Sequence, residues 1–366
     1  MKNIAVEITG EQVAVITIDC RDSKVNKVSS GLLDEIAAMI DKINPAEVRG
    51  MVIVSGKEDN FVVGADIDEV IAMKSEGETR RYISRANDIL NRIDALPIPV
   101  VSCIHGNCLG GGLEVALASD YRIAADSPKT VMGLPEVMLG LLPAGGGTQR
   151  LPRLIGLRES LPMMLAGKNV RVRKARRLGL VDEVVVPYGL KEIGVQKAVE
   201  LAKKGFKRKR KRSLVDAILE SPFGRGIVFK QARQMVMKQT RGLYPAPLEI
   251  IESVEFGWRK GVLKGIEKDV DRFVKLVMSP EAKSLMTIFF GIMAVIALAT
   301  GLFQATQQLL LLRAESEIDN DVEAALWDRL LKLQVNFFRE YSSGEINGRI
   351  CALSSVWQVA RPAFNT

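Results

Sequence analysis

The sequence predicts an α/β domain, followed by a helical region and then by one long apolar helix. Up to about residue 190, short apolar segments alternate with helical patterns, which is typical of α/β domains. Charged, helix-forming stretches then dominate from about Leu190 to Phe290, and Met286 to Leu312 contains no charged residue. These shifts divide the chain into an α/β core over 1–190, a helical extension over 191–290, and an apolar helix with a polar tail over 291–366.

The first predicted elements are a β-hairpin, from alternating apolar and polar residues, and a helix, from a serine N-cap. The N-terminal segment MKNIAVEITGEQVAVITID alternates apolar and polar residues across Gly10, which predicts a β-hairpin, and it has no signal-peptide core. Apolar residues recur on one helical face over Leu32–Ile43, directly after Ser29 and Ser30. Because serine is a preferred N-cap residue, we expect a helix to begin there.

Later elements follow from apolar runs and from charged helical stretches. Met51–Val54, Val100–Ile104 and Val181–Val186 have the length and composition of buried strands. Ile193–Lys203 and Ile250–Lys275 are charged stretches of helix-forming residues. The strands precede the helical region, so the sheet belongs to the first half of the chain.

The apolar segment Met286–Leu312 is long enough to span a bilayer. Its 27 uncharged residues would form a helix about 40 Å long at ~1.5 Å per residue. A buried core helix seldom stays uncharged over such a length, so we expect a membrane-competent helix. An amphipathic, polar stretch follows Arg313.

The net charge of +8 comes from one short run. Lys203 to Arg212 (KKGFKRKRKR) holds eight basic residues, and the rest of the chain is neutral. A local run with Phe206 as its one aromatic residue is more typical of a solvated surface than of a nucleic-acid site, so we expect no nucleic-acid partner.

Cysteine and histidine usage argues against a metal site. The four cysteines show no Cys-x-x-Cys spacing, and His105 is the only histidine. A zinc site is therefore not expected, and the composition is that of a reduced, cytoplasmic protein. Since His105 follows an apolar strand, we expect it to be a packed, hydrogen-bonded residue rather than a catalyst.

Three motifs stand between strand and helix signals. The first is Gly64-Ala65-Asp66-Ile67, the second is IHGNCLGGGLE over Ile104–Glu114, and the third is Gly133-Leu134-Pro135-Glu136. The segment PAGGGTQR, which follows the third motif, lacks the G-x-x-x-x-G-K-[ST] pattern, so a phosphate-binding P-loop is excluded.

The second motif can present backbone N–H groups to a ligand. A glycine run at a helix N-terminus leaves N–H groups unpaired and unshielded by a Cβ, and the helix dipole adds positive potential there. A second N–H from the Gly64–Ala65 turn would complete a two-donor oxyanion hole, which suits a thioester carbonyl that becomes an enolate.

Two glutamates accompany this predicted hole. Glu114 is expected one residue after the helix begins, and Glu136 follows a turn that can direct its carboxylate back. Two carboxylates can act as an acid–base pair, although a glutamate in a first helical turn often serves only to complement the helix dipole. No histidine, cysteine or serine triad competes for this role.

Together these residues resemble the enoyl-CoA hydratase/isomerase (crotonase) family. GADI, IHGNCLGGGLE, DYRIAADSPKTVMGLPEVMLGLLPAGGGTQRLPRLIG and SPEAKSLMTIFF occur in order, so the resemblance covers residues 1 to about 290. Within the family, this part is most similar to the hydratase part of fatty acid oxidation complex α-subunits. The resemblance implies a spiral of ββα units with helices at its C-terminal end.

The resemblance also assigns roles. It implies that Ala65 and Gly111 supply the oxyanion-hole N–H groups and that Glu114 and Glu136 hold a water molecule and transfer its protons. Coenzyme A, as part of the substrate, would lie across the surface near Ala65–Ile67. The substrate-binding positions it implies are Gly64, Asp66, Ile67 and Gly110.

Several expectations follow from that family. The substrate would be an acyl-CoA thioester and no separate cofactor is needed. The presence of both carboxylates favours a 2-enoyl-CoA hydratase over a Δ3-Δ2-enoyl-CoA isomerase, which needs only one. A third alternative is a membrane-anchored fusion protein with an inactive hydratase domain. A thiolase β-subunit and further copies of this chain are the implied protein partners. No G-x-G-x-x-G follows a strand in the last 76 residues, so NAD-dependent dehydrogenation is not expected.

From about Gly291, the chain resembles a fragment of the transmembrane domain of an ABC exporter. The similarity lies in the apolar helix and in the stretches LLRAESEIDNDVEAALWDRLLKL and NFFREYSSGEINGRI. Four basic residues lie in the 20 positions before the apolar segment and three in the 20 after it, a bias that keeps the hydratase side cytoplasmic. The exporter resemblance implies that the segment after Arg313 is cytoplasmic instead, and both topologies stay open.

Overall fold

The computed structural model describes residues 2–205 and 214–332, together with residues 342, 344, 345 and 348. The predictions about the basic run beyond Gly205, and those about the stretch NFFREYSSGEINGRI, fall mostly outside these residues. The chain divides into two compact units, residues 1–290 and residues 291–366, and each is described by itself.

The first unit contains two sheets and most of the helices. The strands are β1 (Ile4–Ile8), β2 (Val13–Ile18), β3 (Gly50–Ser55), β4 (Asn60–Val62), β5 (Val100–Ile104), β6 (Asn107–Leu109), β7 (Tyr121–Ala125), β8 (Val131–Gly133), β9 (Val170–Arg171) and β10 (Glu183–Val185). The helices are α1 (Ser30–Lys42), α2 (Ile67–Ala72), α3 (Glu76–Asp94), α4 (Gly111–Ala118), α5 (Gly147–Ile155), α6 (Leu157–Leu165), α7 (Val172–Leu178), α8 (Leu190–Lys204), α9 (Leu214–Leu219), α10 (Pro222–Thr240), α11 (Pro245–Lys260), α12 (Val262–Val277) and α13 (Pro280–Leu331).

The larger sheet carries the core of the first unit. Its strand order is β1-β2-β3-β5-β7-β10, in which β1 is antiparallel to β2 and the other pairings are parallel. Val52, Val101 and Ile123 lie on adjacent strands and are fully buried. Burial on both faces explains why these strands are continuous apolar runs, as parallel sheets require.

The smaller sheet alternates with the larger one along the chain. Its order is β4-β6-β8-β9, with β4, β6 and β8 parallel to one another. Three times in succession the chain passes from a strand of the larger sheet to a strand of the smaller one and then into a helical segment. This is the ββα repeat that the family resemblance implies.

The helical region differs in one detail from its sequence prediction. The expected stretch Ile250–Lys275 is two helices, α11 and α12, which are separated by Gly261 at a φ of 98°. A positive φ cannot continue a right-handed helix, and glycine adopts it readily, so the helix ends there. α13 begins at Pro280 in the first unit, where Ala282 and Met286 are buried.

In the second unit, α13 carries the apolar segment. Every residue from 291 to 312 is exposed. By length and composition, α13 is long and apolar enough to cross a membrane. The helix runs on to Leu331, through polar residues.

The strands not predicted from the sequence are β7 and the short strands β4, β6, β8 and β9. β4, β6 and β8 have three residues each, too few for an apolar alternation to be seen. The glycine run therefore follows β6 and not β5 directly, and Gly64 follows β4 and not β3.

Candidate active site

The three glycine-containing motifs occupy equivalent places in successive ββα repeats. Gly64–Asp66 follows β4, Gly110–Gly111 follows β6, and Glu136 follows β8. Since β4, β6 and β8 are parallel neighbours in one sheet, the segments after them emerge at the same edge. The topology thus brings together residues that are more than 70 positions apart.

Gly110 lies where the three segments meet. Its N–H donates to the carbonyl of Gly133 at 2.9 Å, and its φ is 53°. A Cβ at this position would lie 3.1 Å from Oε1 of Glu136 and 3.3 Å from the Cα of Gly64. Both the backbone conformation and the close approach therefore require glycine.

Two backbone N–H groups are available beside Gly110. Gly111 is the first residue of α4, so its N–H has no partner within the helix. The N–H of Val28 donates to the carbonyl of Gly64, and the carbonyl of Val28 accepts from the N–H of Asp66, each at 2.8 Å. These two bonds leave the N–H of Ala65 unused. Neither N–H, of Ala65 or of Gly111, donates to an acceptor within residues 2–205 and 214–332. A Cβ at Gly111 would come 3.6 Å from the nitrogen of Ala65, so the two donors are close together.

Glu114 is the fourth residue of α4, which corrects the expectation that it follows the helix start by one residue. The helix begins at Gly111, and the next residue, Gly112, has no Cβ and so lets α4 approach Val62 of β4 closely. The Glu114 side chain is buried, and Oε1 accepts a hydrogen bond from the N–H of Gly147 at 2.8 Å. Burial raises the pKa of Glu114 to about 7, and the N–H of Gly147 and the charge of Arg150 oppose this shift.

Glu136 begins a 3₁₀ turn, Glu136–Leu139, which follows β8 after Leu134 and Pro135. Its Oε2 atom is buried and has no hydrogen-bond partner among the described residues. Burial raises the pKa of Glu136 well above its usual range, and the charge of Glu114 raises it further. An unpartnered buried carboxyl oxygen next to a second carboxyl favours the protonated form.

The other predicted binding residues contribute mainly to local structure. Gly64 has a φ of 120° and turns the chain toward Ala65. The Asp66 side chain caps α2 by accepting from the N–H of Asp68, and it lies 2.9 Å from Nζ of Lys27. Ile67 is the first residue of α2 and packs against the core. Ligand contacts for these residues stay predictions.

The sequence analysis missed the support for Glu114. Gly145 and Gly146 form the turn before α5, which begins at Gly147, and a Cβ at Gly145 would lie 2.4 Å from Oε2 of Glu114. Arg150 is buried behind this turn and donates to the carbonyl of Gly145 at 3.2 Å. The signal in the sequence was the run of three glycines in PAGGGTQR.

His105 lies outside this cluster. His105 is half-buried, with Nε2 at 2.6 Å from the carbonyl oxygen of Lys57, so it is the packed residue expected. It lines a cleft of about 650 Å³ that contains neither Glu114 nor Glu136. In the ranges that the structure describes, no three His, Cys, Asp or Glu side chains are grouped so as to hold a metal ion.

Comparisons with known proteins support the resemblance drawn from the sequence. The family model of enoyl-CoA hydratase/isomerase matches residues 9–235. The fatty acid oxidation complex subunit alpha of Shewanella baltica is 45% identical over 283 residues, which are 76% of this chain and 40% of the relative. That of Shewanella loihica is 46% identical over the same length and coverage. The chain therefore spans about 40% of the length of these curated relatives.

Solved structures agree on the fold. An enoyl-CoA hydratase from Bacillus anthracis is 29% identical with a TM-score of 0.50, covering 74% of this chain and 90% of that protein. Human mitochondrial Δ3-Δ2-enoyl-CoA isomerase gives a TM-score of 0.58 at 22% identity, covering 80% of this chain and 98% of that protein. At that identity the second similarity concerns the fold alone.

Proposed function

Because the chain belongs to the enoyl-CoA hydratase/isomerase family, we propose that it adds water to a trans-2-enoyl-CoA thioester to give a 3-hydroxyacyl-CoA. One observation carries this proposal. Glu114 and Glu136 are two interacting carboxyls with raised pKa values, next to the free N–H groups of Ala65 and Gly111. Hydration needs one group that accepts a proton and one that donates a proton, and this pair can supply both.

The electrostatics of the pair support one role for each carboxyl. Above neutral pH the ionised form of Glu114 predominates, because its pKa is about 7. Glu136 keeps its proton, because burial and the Glu114 charge both favour the neutral form. Glu114 is therefore the proposed base and Glu136 the proposed acid.

The reaction then follows from these roles. Glu114 takes a proton from water while the water oxygen bonds to C3 of the enoyl group. The electrons move through C2 to the thioester oxygen, where the N–H groups of Ala65 and Gly111 stabilise the developing charge. The proton of Glu136 goes to C2, and exchange with solvent returns the two carboxyls to their starting states.

The second carboxyl separates this reaction from its nearest alternative. A Δ3-Δ2-enoyl-CoA isomerase moves one proton along the acyl chain and needs one carboxyl group. Glu136 has a raised pKa, and its Oε2 atom is buried without a hydrogen-bond partner among the described residues. Because such a carboxyl is unfavourable for folding, a role in the reaction explains its presence better than a structural role.

A direct assay tests the proposed reaction. The full chain, purified in mild detergent, is mixed with a short trans-2-enoyl-CoA, and the loss of the absorbance of the conjugated thioester is followed. A 3-enoyl-CoA is assayed in parallel, with Glu78→Gln on the exposed start of α3 as a matched control. We expect hydration by the wild type and by Glu78→Gln. Conversion of only the 3-enoyl-CoA, or of neither substrate, would refute the proposal.

We also propose that residues 286–312 hold the enzyme at a membrane. From residue 291 onward the segment is exposed on all sides of α13, and it contains no charged residue. A helix of about 40 Å exceeds the ~30 Å hydrocarbon core of a bilayer. Apolar side chains exposed all around the helix fit lipid better than a single protein groove.

Flotation with liposomes tests the anchor. We expect the full chain to rise with phospholipid vesicles in a density gradient and to resist extraction with alkaline carbonate. Leu298→Arg combined with Leu302→Arg should abolish flotation, because each arginine at the bilayer centre is unfavourable by roughly 2.5–3.5 kcal/mol. Wild-type protein that stays at the bottom of the gradient would contradict the anchor.

A thiolase β-subunit is the protein partner that the sequence resemblance implies. The names of the curated relatives describe one subunit of a complex, and this is the whole support for the proposal. Co-expression with such a subunit, followed by size-exclusion chromatography, should give co-elution. Separate elution would contradict the proposal.

A further inference from the structure

A buried carboxylate on α12 binds the first turn of α5. Asp269 is fully buried. It accepts hydrogen bonds from the hydroxyl of Thr148 and from Nε2 of Gln149, the latter at 3.2 Å. It also accepts from the hydroxyl of Ser253 on α11. Asp269 thus joins α5, α11 and α12.

Gln149 fixes the same turn in a slot between α11 and α12. Its Nε2 donates to the carbonyl and hydroxyl oxygens of Ser253 at 3.1 Å and 3.0 Å. A Cβ at Gly257 would lie 1.6 Å from Oε1 of Gln149, and a Cβ at Gly265 would lie 2.5 Å from its Cδ. Glycine in both helices lets them close on this side chain, which therefore has little freedom to move.

The other side of this turn binds the proposed base. Gly147, the residue before Thr148, donates its N–H to Oε1 of Glu114 at 2.8 Å. The direction of that N–H is set by the backbone of the first turn of α5. Any shift of Thr148 and Gln149 would therefore move the hydrogen bond on Glu114.

We propose that Asp269 is a positioning residue for hydration: by holding Thr148 and Gln149, it keeps the N–H of Gly147 directed at Glu114. The inference rests on the proposed function, because it assigns Glu114 a catalytic role. It also gives the helical region a part in the reaction, since α11 and α12 supply the groups that hold α5.

The charged groups around Glu114 determine how its titration responds. Arg150 of α5 lowers the pKa of Glu114, and Asp269 of α12 raises it. Glu136 interacts with Glu114 from the 3₁₀ turn, and the charge of Glu114 contributes to the raised pKa of Tyr82 on α3. Burial raises the pKa of Asp269 to about 6, and the Thr148 hydroxyl opposes this shift. Removing that hydroxyl therefore favours neutral Asp269, which by itself would lower the pKa of Glu114. A pH profile that moves the other way, to higher pH, would report the Gly147 hydrogen bond.

The experiment compares Thr148→Val, Thr148→Ser and Asp269→Asn in the full chain with a short trans-2-enoyl-CoA. Thr148→Val keeps the shape and removes the donor to Asp269, while Thr148→Ser keeps the donor. We expect Thr148→Val and Asp269→Asn each to lower kcat by roughly 10- to 100-fold with little change in KM, since small misplacement has effects of this size. Thr148→Ser should stay close to wild type.

The pH profile and a matched control complete the test. In Thr148→Val, the weakened Gly147 hydrogen bond stabilises ionised Glu114 less, so the acidic limb of kcat should move to higher pH. Thr79→Val is the control, because Thr79 is also a buried threonine in the first turn of a helix, and among the described residues its hydroxyl bonds only to the carbonyl of Ser75. It should lower stability without moving the profile.

The outcomes separate this inference from the proposed function. If the wild type hydrates the substrate but Thr148→Val and Asp269→Asn keep its kcat and pH profile, the positioning role is wrong. If Asp269→Asn does not fold, the kcat and pH profile of Thr148→Val alone decide whether Asp269 has the positioning role. An inactive wild type would overturn the proposed function, and this inference with it.

Discussion

Replacing Gly111 by alanine should abolish most of the activity while leaving the fold intact. A Cβ at Gly111 would meet Cγ2 of Val28 at 3.4 Å and the nitrogen of Ala65 at 3.6 Å, both ordinary van der Waals distances. The protein can accommodate this methyl group. It would, however, occupy space next to both N–H donors, where we place the thioester oxygen.

The expected effects of Gly111→Ala on the free energy of unfolding and on kcat differ widely in magnitude. Glycine in a helix is less favourable than alanine by roughly 0.5–1 kcal/mol, so the free energy of unfolding should stay constant or rise slightly. Loss of one oxyanion-hole donor lowers kcat by roughly 10²- to 10³-fold. Activity should therefore fall without any loss of stability.

The neighbouring residue provides the matched control. A Cβ at Gly112 would lie 2.1 Å from the carbonyl oxygen of Val62, a distance at which the backbone must shift. Gly112→Ala should lower the free energy of unfolding by about 1–3 kcal/mol or more, as overpacking does. The same substitution at adjacent positions thus separates chemistry from folding.

The assay measures kcat with a short trans-2-enoyl-CoA and thermal unfolding by circular dichroism for both variants. A Gly111→Ala variant with wild-type kcat would show that this N–H does not stabilise the thioester oxygen. A large fall in its Tm, similar to that of Gly112→Ala, would show that the space beside Ala65 is filled in the folded protein.

Three further predictions concern the carboxyls and the tail. Glu114→Gln and Glu136→Gln should each lower kcat by about 10²-fold or more, as expected for general acid–base groups, and a wild-type rate in either variant would remove that residue from the mechanism. The pKa of Glu114 is raised from 4.5 to about 7 in the folded protein, so between these values the folded state holds a proton that the unfolded state has lost, and stability should fall as pH rises through this range. Glu114→Gln should therefore raise the free energy of unfolding at alkaline pH by on the order of 3 kcal/mol. An unchanged or lower Tm of this variant at that pH would contradict the raised pKa. Deleting residues 291–366 should leave kcat unchanged, because the proposed reacting groups lie between Ala65 and Glu136. The deletion should also raise solubility, because it removes exposed apolar surface. Loss of activity on truncation would show that the tail supports the site.

The parts of the fold that the sequence predicts are those with a strong local signal. Val100–Ile104 is strand β5 with the same bounds, and Ser29 caps α1 as expected. Gly10 lies in the turn between β1 and β2. Long apolar runs and side-chain caps are local features, so a single sequence suffices to find them.

The site was only partly predictable, because its geometry depends on pairings distant in sequence. The motifs at Gly64, Gly110 and Glu136 could be recognised, but their convergence depends on β4, β6 and β8, whose three-residue strands carry no periodic signal. The hydrogen bond from Gly147 to Glu114 joins residues 33 positions apart. Nothing local in PAGGGTQR indicates that its glycines surround a carboxylate.

The hydrogen bonds that Asp269 makes to α5 were still harder to predict from the sequence. Asp269 lies more than 100 residues from Thr148, in a stretch whose charged composition predicted a helix but no contact with the site. Its burial among hydroxyl and amide donors is a property of tertiary packing. The helical extension therefore contributes groups to the site that its composition did not predict.

The central claim is that this chain adds water across the double bond of an enoyl thioester with Glu114 and Glu136. The most direct measurement is mass spectrometry of the product formed from a trans-2-enoyl-CoA in water enriched in heavy oxygen. For the wild type, we expect a product that has gained one labelled water molecule, and for a variant combining Glu114→Gln with Glu136→Gln we expect unchanged substrate. Equal labelling by both proteins, or unlabelled substrate with both, would contradict the account.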